Sequence, residues 1–206
     1  MINKAGHKKI TFLISNAGTG SNLQAVIDAI EAGKIKAEIT AVVSDTKDAY
    51  GLVRAKKHHL TTHIYKPEEN LQALLQHQYR VDYVALGGWK KIISDDFIDA
   101  FPNKILNIHP GLIPDKLDGV VKNPDDTKAL WNRGKFTEKA IQIFLDQKAT
   151  YAGSTVHFLS KEFDFGPVLE RCFVKILPQD TVESLYTRLK KGEHQIYIEA
   201  LKRICN

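Results

Sequence analysis

The chain has 206 residues, of which 43% are hydrophobic and 26% charged, and a formal net charge of +5. This length suits one good core, or one domain with a small appendage, and the composition excludes disordered and fibrous classes. No apolar run is long enough to span a membrane. The basic stretch from Met1 to Lys9 lacks the apolar core of a signal peptide, so the expected setting is cytoplasmic.

The lysines are spread along the chain rather than massed in a stripe. That argues for no nucleic acid partner and suits small anionic substrates. Cys172 and Cys205 stand apart with no metal-ligand spacing and read as two unpaired thiols. The eight histidines do not cluster with cysteines or carboxylates at ligand spacing. The expectation is no metal.

The elements alternate along the chain. Ile10 to Ile14 reads as a short buried strand, followed by a Gly-rich turn. Leu23 to Ile30 carries apolar residues at helical spacing, and Gly33 ends that helix. Ala37 to Val43 is the next strand, Gly51 to His59 a basic helix, and Thr61 to Tyr65 a third strand. Asn70 to Gln78 reads as a helix and Tyr83 to Leu86 as a strand. Ser94, ahead of Asp95 and Asp96, caps a helix that ends near Ala100. Lys104 to Ile108 is the fifth strand.

Such alternation predicts an α/β fold with a doubly wound, mostly parallel sheet. Ligands bind there at the carboxyl ends of the strands. The stretch from Asp115 to Thr150 is polar and broken by Gly119, Pro124 and Gly134. Asp125 to Asn132 and Thr137 to Leu145 are expected as short helices within it. Ser154 to Leu159 and Val168 to Ile176 form a C-terminal β-extension. A long terminal helix starts at Asp180-Thr181, interrupted by Gly192.

Five motifs bear chemistry. Asn16-Ala17-Gly18-Thr19-Gly20-Ser21-Asn22 joins the first strand to the first helix. Glycines let backbone N–H groups approach an anion there, although neither dinucleotide nor Walker spacing is met. A plain loop is the other reading. Asn107-Ile108-His109-Pro110-Gly111 ends the fifth strand. It sets an amide and an imidazole two residues apart, half of an acyl-transfer site, or else a satisfied turn. Asp164, before Gly166-Pro167, is a solvated turn former or a carboxylate that orients an imidazole. His157, in Gly153-Ser154-Thr155-Val156-His157, reads as a core or edge histidine. Glu193-His194 reads by default as a charged helix face.

On these residues the chain resembles the phosphoribosylglycinamide formyltransferases of the folate-dependent formyltransferase superfamily. The likeness runs from Ile14-Ser15 through Gly20-Ser21-Asn22-Leu23-Gln24-Ala25 and Leu86-Gly87-Gly88-Trp89 to Leu106-Asn107-Ile108-His109-Pro110. It continues through Gly153 to Phe158, Asp164-Phe165-Gly166-Pro167-Val168, and Glu193-His194 with Tyr197. It implies a single domain over 1–206 with a Rossmann-like fold and an atypical insertion at 115–150. The implied reaction moves a formyl group from 10-formyltetrahydrofolate to the amine of glycinamide ribonucleotide, with small-molecule partners only, no metal, and a monomer or homodimer.

Carried over residue by residue, Asn107, His109 and Asp164 match the family's catalytic Asn, His and Asp. Gly18, Thr19, Gly20, Ser21 and Asn22 match its phosphate loop, and Glu193 a glutamate at the substrate's glycinamide end. Trp89, Lys90, Lys91, Ile92 and Ile93 fall beside the folate site, where Lys91 stands for an arginine. Phe163, Phe165 and Gly166 match a loop lining the pterin pocket. The implied chemistry has Asn107 and a protonated His109 stabilise the formyl oxygen, with Asp164 holding His109 cationic.

The departures are equally specific. The loop at Asn16 to Gly20 is longer than the family's. Lys90 replaces an apolar residue, and the family's basic residue after the third strand has only Lys66 as a counterpart. His109 and Asp164 lie 55 positions apart, more than the family's usual spacing, and the excess falls in 115–150, a lid or an interface. Two alternatives stay open: a formyltransferase acting on another amine, such as an amino-sugar nucleotide or methionyl-tRNA, and a non-catalytic folate- or ribotide-binding protein.

Overall fold

A computed structural model describes residues 6–16 and 18–206. Met1 to Ala5 of the basic N-terminal stretch, and Ala17 of the first loop, lie outside the described residues. The chain divides into two compact units, one of Met1–Leu106 with Leu201–Asn206 and one of Asn107–Ala200.

The first unit is built from strand-helix repeats. Its elements are β1 (Lys8–Ile14), α1 (Ser21–Glu31), β2 (Ala37–Ser44), α2 (Tyr50–Lys57), β3 (Thr62–Ile64), a single turn α3 (Leu71–Ala73), β4 (Tyr83–Leu86) and α4 (Asp95–Ala100). β1 pairs in parallel with β2 and with β4, and β2 pairs in parallel with β3. β5 (Ile105–His109) adds to β4 in parallel through Ile105 and Leu106, and it is the strand at which the units divide. Ile10, Phe12, Leu13, Val42, Val84 and Leu106 are fully buried. A parallel sheet covered on both faces needs such continuous apolar strands, and each large aliphatic buried contributes about 1.5–3 kcal/mol. The mostly parallel α/β reading therefore holds.

Two details of this unit depart from the sequence expectation. The helix expected over Asn70 to Gln78 is one α-turn followed by a π-helical turn at Leu74–Gln78, in which the Tyr79 N–H reaches back to Leu74. α2 stops at Lys57, because His59 turns to a positive φ of 55°.

The second unit holds α5 (Thr137–Asp146), β6 (Tyr151–Phe158), β7 (Val168–Lys175) and most of α6 (Val182–Cys205). β6 and β7 form an antiparallel pair, the expected β-extension. Ile141 and Phe144 of α5, Ala152 of β6, and Leu185 and Leu189 of α6 close its core.

Asp125 to Asn132 is not the expected helix. Thr127 donates to the Asp125 carboxylate from both its N–H and its hydroxyl, Asp126 has a φ of 65°, and a bridge joins Lys122 to Lys128. Side chains that bond their own backbone compete with a helix, and here the turn wins. Gly192 does not interrupt α6 either. A Cβ there would lie 3.0 Å from the Cys172 sulfur, so the glycine lets α6 approach β7 closely. Both cysteines are free thiols. No described helix is long and apolar enough to cross a membrane.

Candidate active site

In the first unit, the loop after β1 enters α1 through Gly20. That residue takes a φ of 66° and leaves the first turn without a side-chain cap. Uncapped N–H groups at a helix start favour an anion. Arg54 of α2, which sequence reading passed over, donates from Nε to the Thr19 carbonyl at 2.7 Å and from Nη1 to Gln24 at 3.1 Å. Its only sequence signal was membership of the basic helix. Lys90 donates from its backbone N–H to Ser15 Oγ and from Nζ to Asn16 Oδ1, each at 3.0 Å. It thus buttresses the loop. Trp89 packs against Tyr65 at 6.2 Å, and the Lys91 ammonium lies 6.0 Å from the Tyr65 ring. The buried Asn22 Oδ1 and Trp89 Nε1 have no hydrogen-bond partner among the described residues. Ile92 is exposed and Ile93 half-buried.

In the second unit, the structure brings Asn107, His109, His157 and Asp164 into two contacting pairs. His109, fully buried at the end of β5, sets Nδ1 3.6 Å from Asp164 Oδ1. The His109 Nε2–H donates to the Trp131 carbonyl at 2.7 Å. Burial pushes the His109 pKa below its ordinary value, against the raising influences of Asp164 and the Trp131 carbonyl. The imidazole is therefore neutral at rest. This corrects the expectation of an imidazolium held by Asp164: the carboxylate lies beyond hydrogen-bond distance, and desolvation outweighs it.

The second pair joins Asn107 and His157. Neutral His157 donates from Nδ1 to the Phe158 carbonyl at 3.0 Å, so its Nε2 accepts from the Asn107 amide at 3.4 Å. Its pKa is pushed down to about 3 by burial, with His109 adding to the effect. The core-histidine reading of His157 holds for its burial, and its polar edge faces Asn107.

Two turns carry these groups. Thr155 of β6 donates its hydroxyl to the Gly111 carbonyl and accepts from the Ile113 N–H, which pins the chain after His109-Pro110. Asp164 sits at a φ of 49°. Gly166 follows at 149°, where an added Cβ would meet the Phe158 carbonyl oxygen at 2.0 Å, so only glycine completes the turn. Phe165 packs against Trp131 at 5.8 Å between centroids, while Phe163 is exposed.

Glu193 is buried rather than on an exposed helix face. It accepts the Ser154 hydroxyl at 2.8 Å, and burial raises its pKa. Trp131 and Gly134 are also partners of the site that sequence reading missed; an aromatic residue and a glycine inside a polar excursion were the available signal.

A buried imidazole with a half-buried carboxylate and amide nearby is a set able to exchange a proton and to donate to a developing oxyanion. The sequence pattern of the formyl transferases matches residues 8–201. The chain belongs to the formyl transferase family. Among relatives in that family, the phosphoribosylglycinamide formyltransferase of Haemophilus influenzae is 34% identical over 204 residues, covering 95% of this chain and 86% of the relative. The Escherichia coli enzyme of the same name is 34% identical over 196 residues, covering 91% and 82%. The crystal structure of glycinamide ribonucleotide transformylase 1 from Symbiobacterium toebii matches at a TM-score of 0.79 and 34% identity, covering 96% of this chain and 87% of that one.

Proposed function

We propose that this chain transfers the formyl group of 10-formyltetrahydrofolate to the amine of glycinamide ribonucleotide, as a purine-biosynthetic enzyme working on small molecules in the cytoplasm. The observation that carries this reading is the pairing of buried His109 with Asp164, in a chain of the formyl transferase family whose relatives at 34% identity are named phosphoribosylglycinamide formyltransferases.

The chemistry follows from the resting states of the residues. The amine attacks the formyl carbon and must shed a proton as the new C–N bond forms. Neutral His109 accepts that proton, and the Asp164 carboxylate balances the charge of the imidazolium produced. His109 then returns the proton to the departing folate nitrogen as the old C–N bond breaks. Asn107 donates an N–H to the formyl oxygen while negative charge develops there. An oriented donor of this kind is worth ~3 kcal/mol of barrier.

The loop at Gly18, Thr19, Gly20, Ser21 and Asn22 binds the ribotide phosphate on its uncapped helix start, with Arg54 bracing it from α2. Glu193 recognises the glycinamide end. Folate recognition is assigned to Trp89, Lys90, Lys91, Ile92 and Ile93, and separately to Phe163, Phe165 and Gly166, on the family resemblance alone.

The test is a formyl-transfer assay that follows the absorbance of the released folate. Glycinamide ribonucleotide is offered beside an amino-sugar nucleotide and methionyl-tRNA. Turnover with the ribotide alone is expected. Turnover only with another amine would redirect the substrate assignment, and binding of folate and ribotide without turnover would leave a binding protein.

A further inference from the structure

The segment Trp131-Asn132-Arg133-Gly134 lies inside the insertion and touches both turns of the site. The Trp131 carbonyl accepts from His109 Nε2 at 2.7 Å, and the Trp131 indole N–H donates to the Asp164 carbonyl at 2.9 Å. The Gly134 N–H donates to Asp164 Oδ2 at 2.7 Å. Asn132 Nδ2 donates to the carbonyls of Pro110 and Ala140, and Arg133 donates to the Phe163 carbonyl and the Glu162 carboxylate. Gly111 makes room for the strap: a Cβ there would stand 1.8 Å from the Trp131 oxygen.

A backbone carbonyl can only accept. The nitrogen facing it therefore keeps its proton whether the ring is neutral or charged. That leaves Nδ1 as the nitrogen free to gain and lose a proton, and Nδ1 is the one facing Asp164 at 3.6 Å. The same segment fixes the carboxylate, since the Trp131 indole holds the Asp164 backbone while the Gly134 N–H takes up Oδ2 and leaves Oδ1 toward the ring.

We propose that Trp131 is a positioning residue of the formyl-transfer reaction: its carbonyl holds His109 in the Nε2–H tautomer, so that Nδ1 carries the transferred proton, and its indole aims Asp164 at that nitrogen. The inference rests on the role given to His109 above. The insertion thereby supplies an orienting partner to the base, much as a third group orients the histidine in other acid–base sites.

The experiment uses the full chain labelled with ¹⁵N-histidine, with His109→Ala assigning the signals. Wild type is expected to show a protonated-type Nε2 and an unprotonated-type Nδ1 in neutral His109. Gly111→Ala drives the added Cβ into the Trp131 carbonyl. It is expected to mix the tautomers and lower kcat by about tenfold or more, with KM for the ribotide nearly unchanged. Trp131→Phe keeps the carbonyl and loses the indole donor, so it should retain the tautomer and lower kcat by about three- to tenfold. An Nδ1–H tautomer in wild type overturns the proposal. So does a folded Gly111→Ala protein with mixed tautomers and unimpaired or faster turnover, the behaviour of a lid lifted from Nε2. If Gly111→Ala does not fold, the wild-type tautomer and Trp131→Phe decide. Should His109→Ala retain turnover, the catalytic reading fails, whichever tautomer the spectra show.

Discussion

Asn107 donates its amide N–H to Nε2 of His157, and that bond decides which way the amide faces. His157 has its other nitrogen committed to the Phe158 carbonyl and stays neutral, with a pKa near 3, so Nε2 can only accept. Asn107 is thereby fixed with one N–H toward His157, and in the proposed reaction the other donates to the formyl oxygen. His157→Phe removes the acceptor while keeping an aromatic ring in the buried site. Turnover should fall about tenfold through misorientation of the donor, whereas Asn107→Ala should cost 10²–10³-fold. Steady-state kinetics on both variants test this, and equal losses would contradict the indirect role of His157.

His109 and Asp164 act as a pair in the proposed proton transfer, so their losses should not add. His109→Ala and Asp164→Asn are each expected to cut kcat by at least about 10², with ribotide affinity little changed. The double variant should be little worse than His109→Ala alone. Near-normal turnover of purified His109→Ala removes the base assignment outright. Additive losses would mean that Asp164 works without the histidine.

Much of the proposed site is legible in the sequence, and what is not has physical causes. The apolar run Ile105-Leu106 halted by Pro110-Gly111 marked β5 and placed Asn107 and His109 at its end, because strand periodicity and breakers are local signals. Asp164 was legible through Gly166, whose turn admits no side chain. The charge state of His109 was not legible, since it depends on burial by residues distant in sequence. Trp131 escaped for the same reason: it meets His109 through a backbone carbonyl, and no side-chain pattern encodes that bond. Gly192 misled because a helix-interior glycine reads as a break unless the neighbouring Cys172 is known.

Glu193 offers a separation of binding from stability. Its carboxylate is buried on Ser154 and its pKa is raised, so the folded state holds a proton more tightly than the unfolded chain. Stability from this group is greatest at low pH and falls as pH rises above the ordinary glutamate range. Glu193→Gln imitates the neutral acid. The variant should gain thermal stability relative to wild type as pH rises, with no gain at pH 4. If the carboxylate also recognises the ribotide, KM for it should rise by about tenfold or more in the same variant. An unchanged KM would withdraw Glu193 from the substrate.

His109 and His157 set the opposite pH dependence. Both are depressed by burial, so both fold as neutral rings, while the unfolded chain binds protons below its ordinary histidine pKa of about 6.5. Their contribution to stability is fully present above that value. It is lost as pH falls toward the folded pKa, which for His157 is about 3. Each neutral histidine should add a slope of at most about 1.4 kcal/mol per pH unit within that window. Activity should follow the same direction. With His109 as a neutral base, kcat/KM is expected to fall on the acid side with a midpoint below the ordinary histidine value. Denaturant melts across pH 4–8 for wild type and His157→Phe test the first claim, with the variant's slope expected to be the shallower. A pH–rate profile whose acid limb lies above the ordinary histidine value would mean that the imidazolium is favoured at rest, and the base would then have to be found elsewhere.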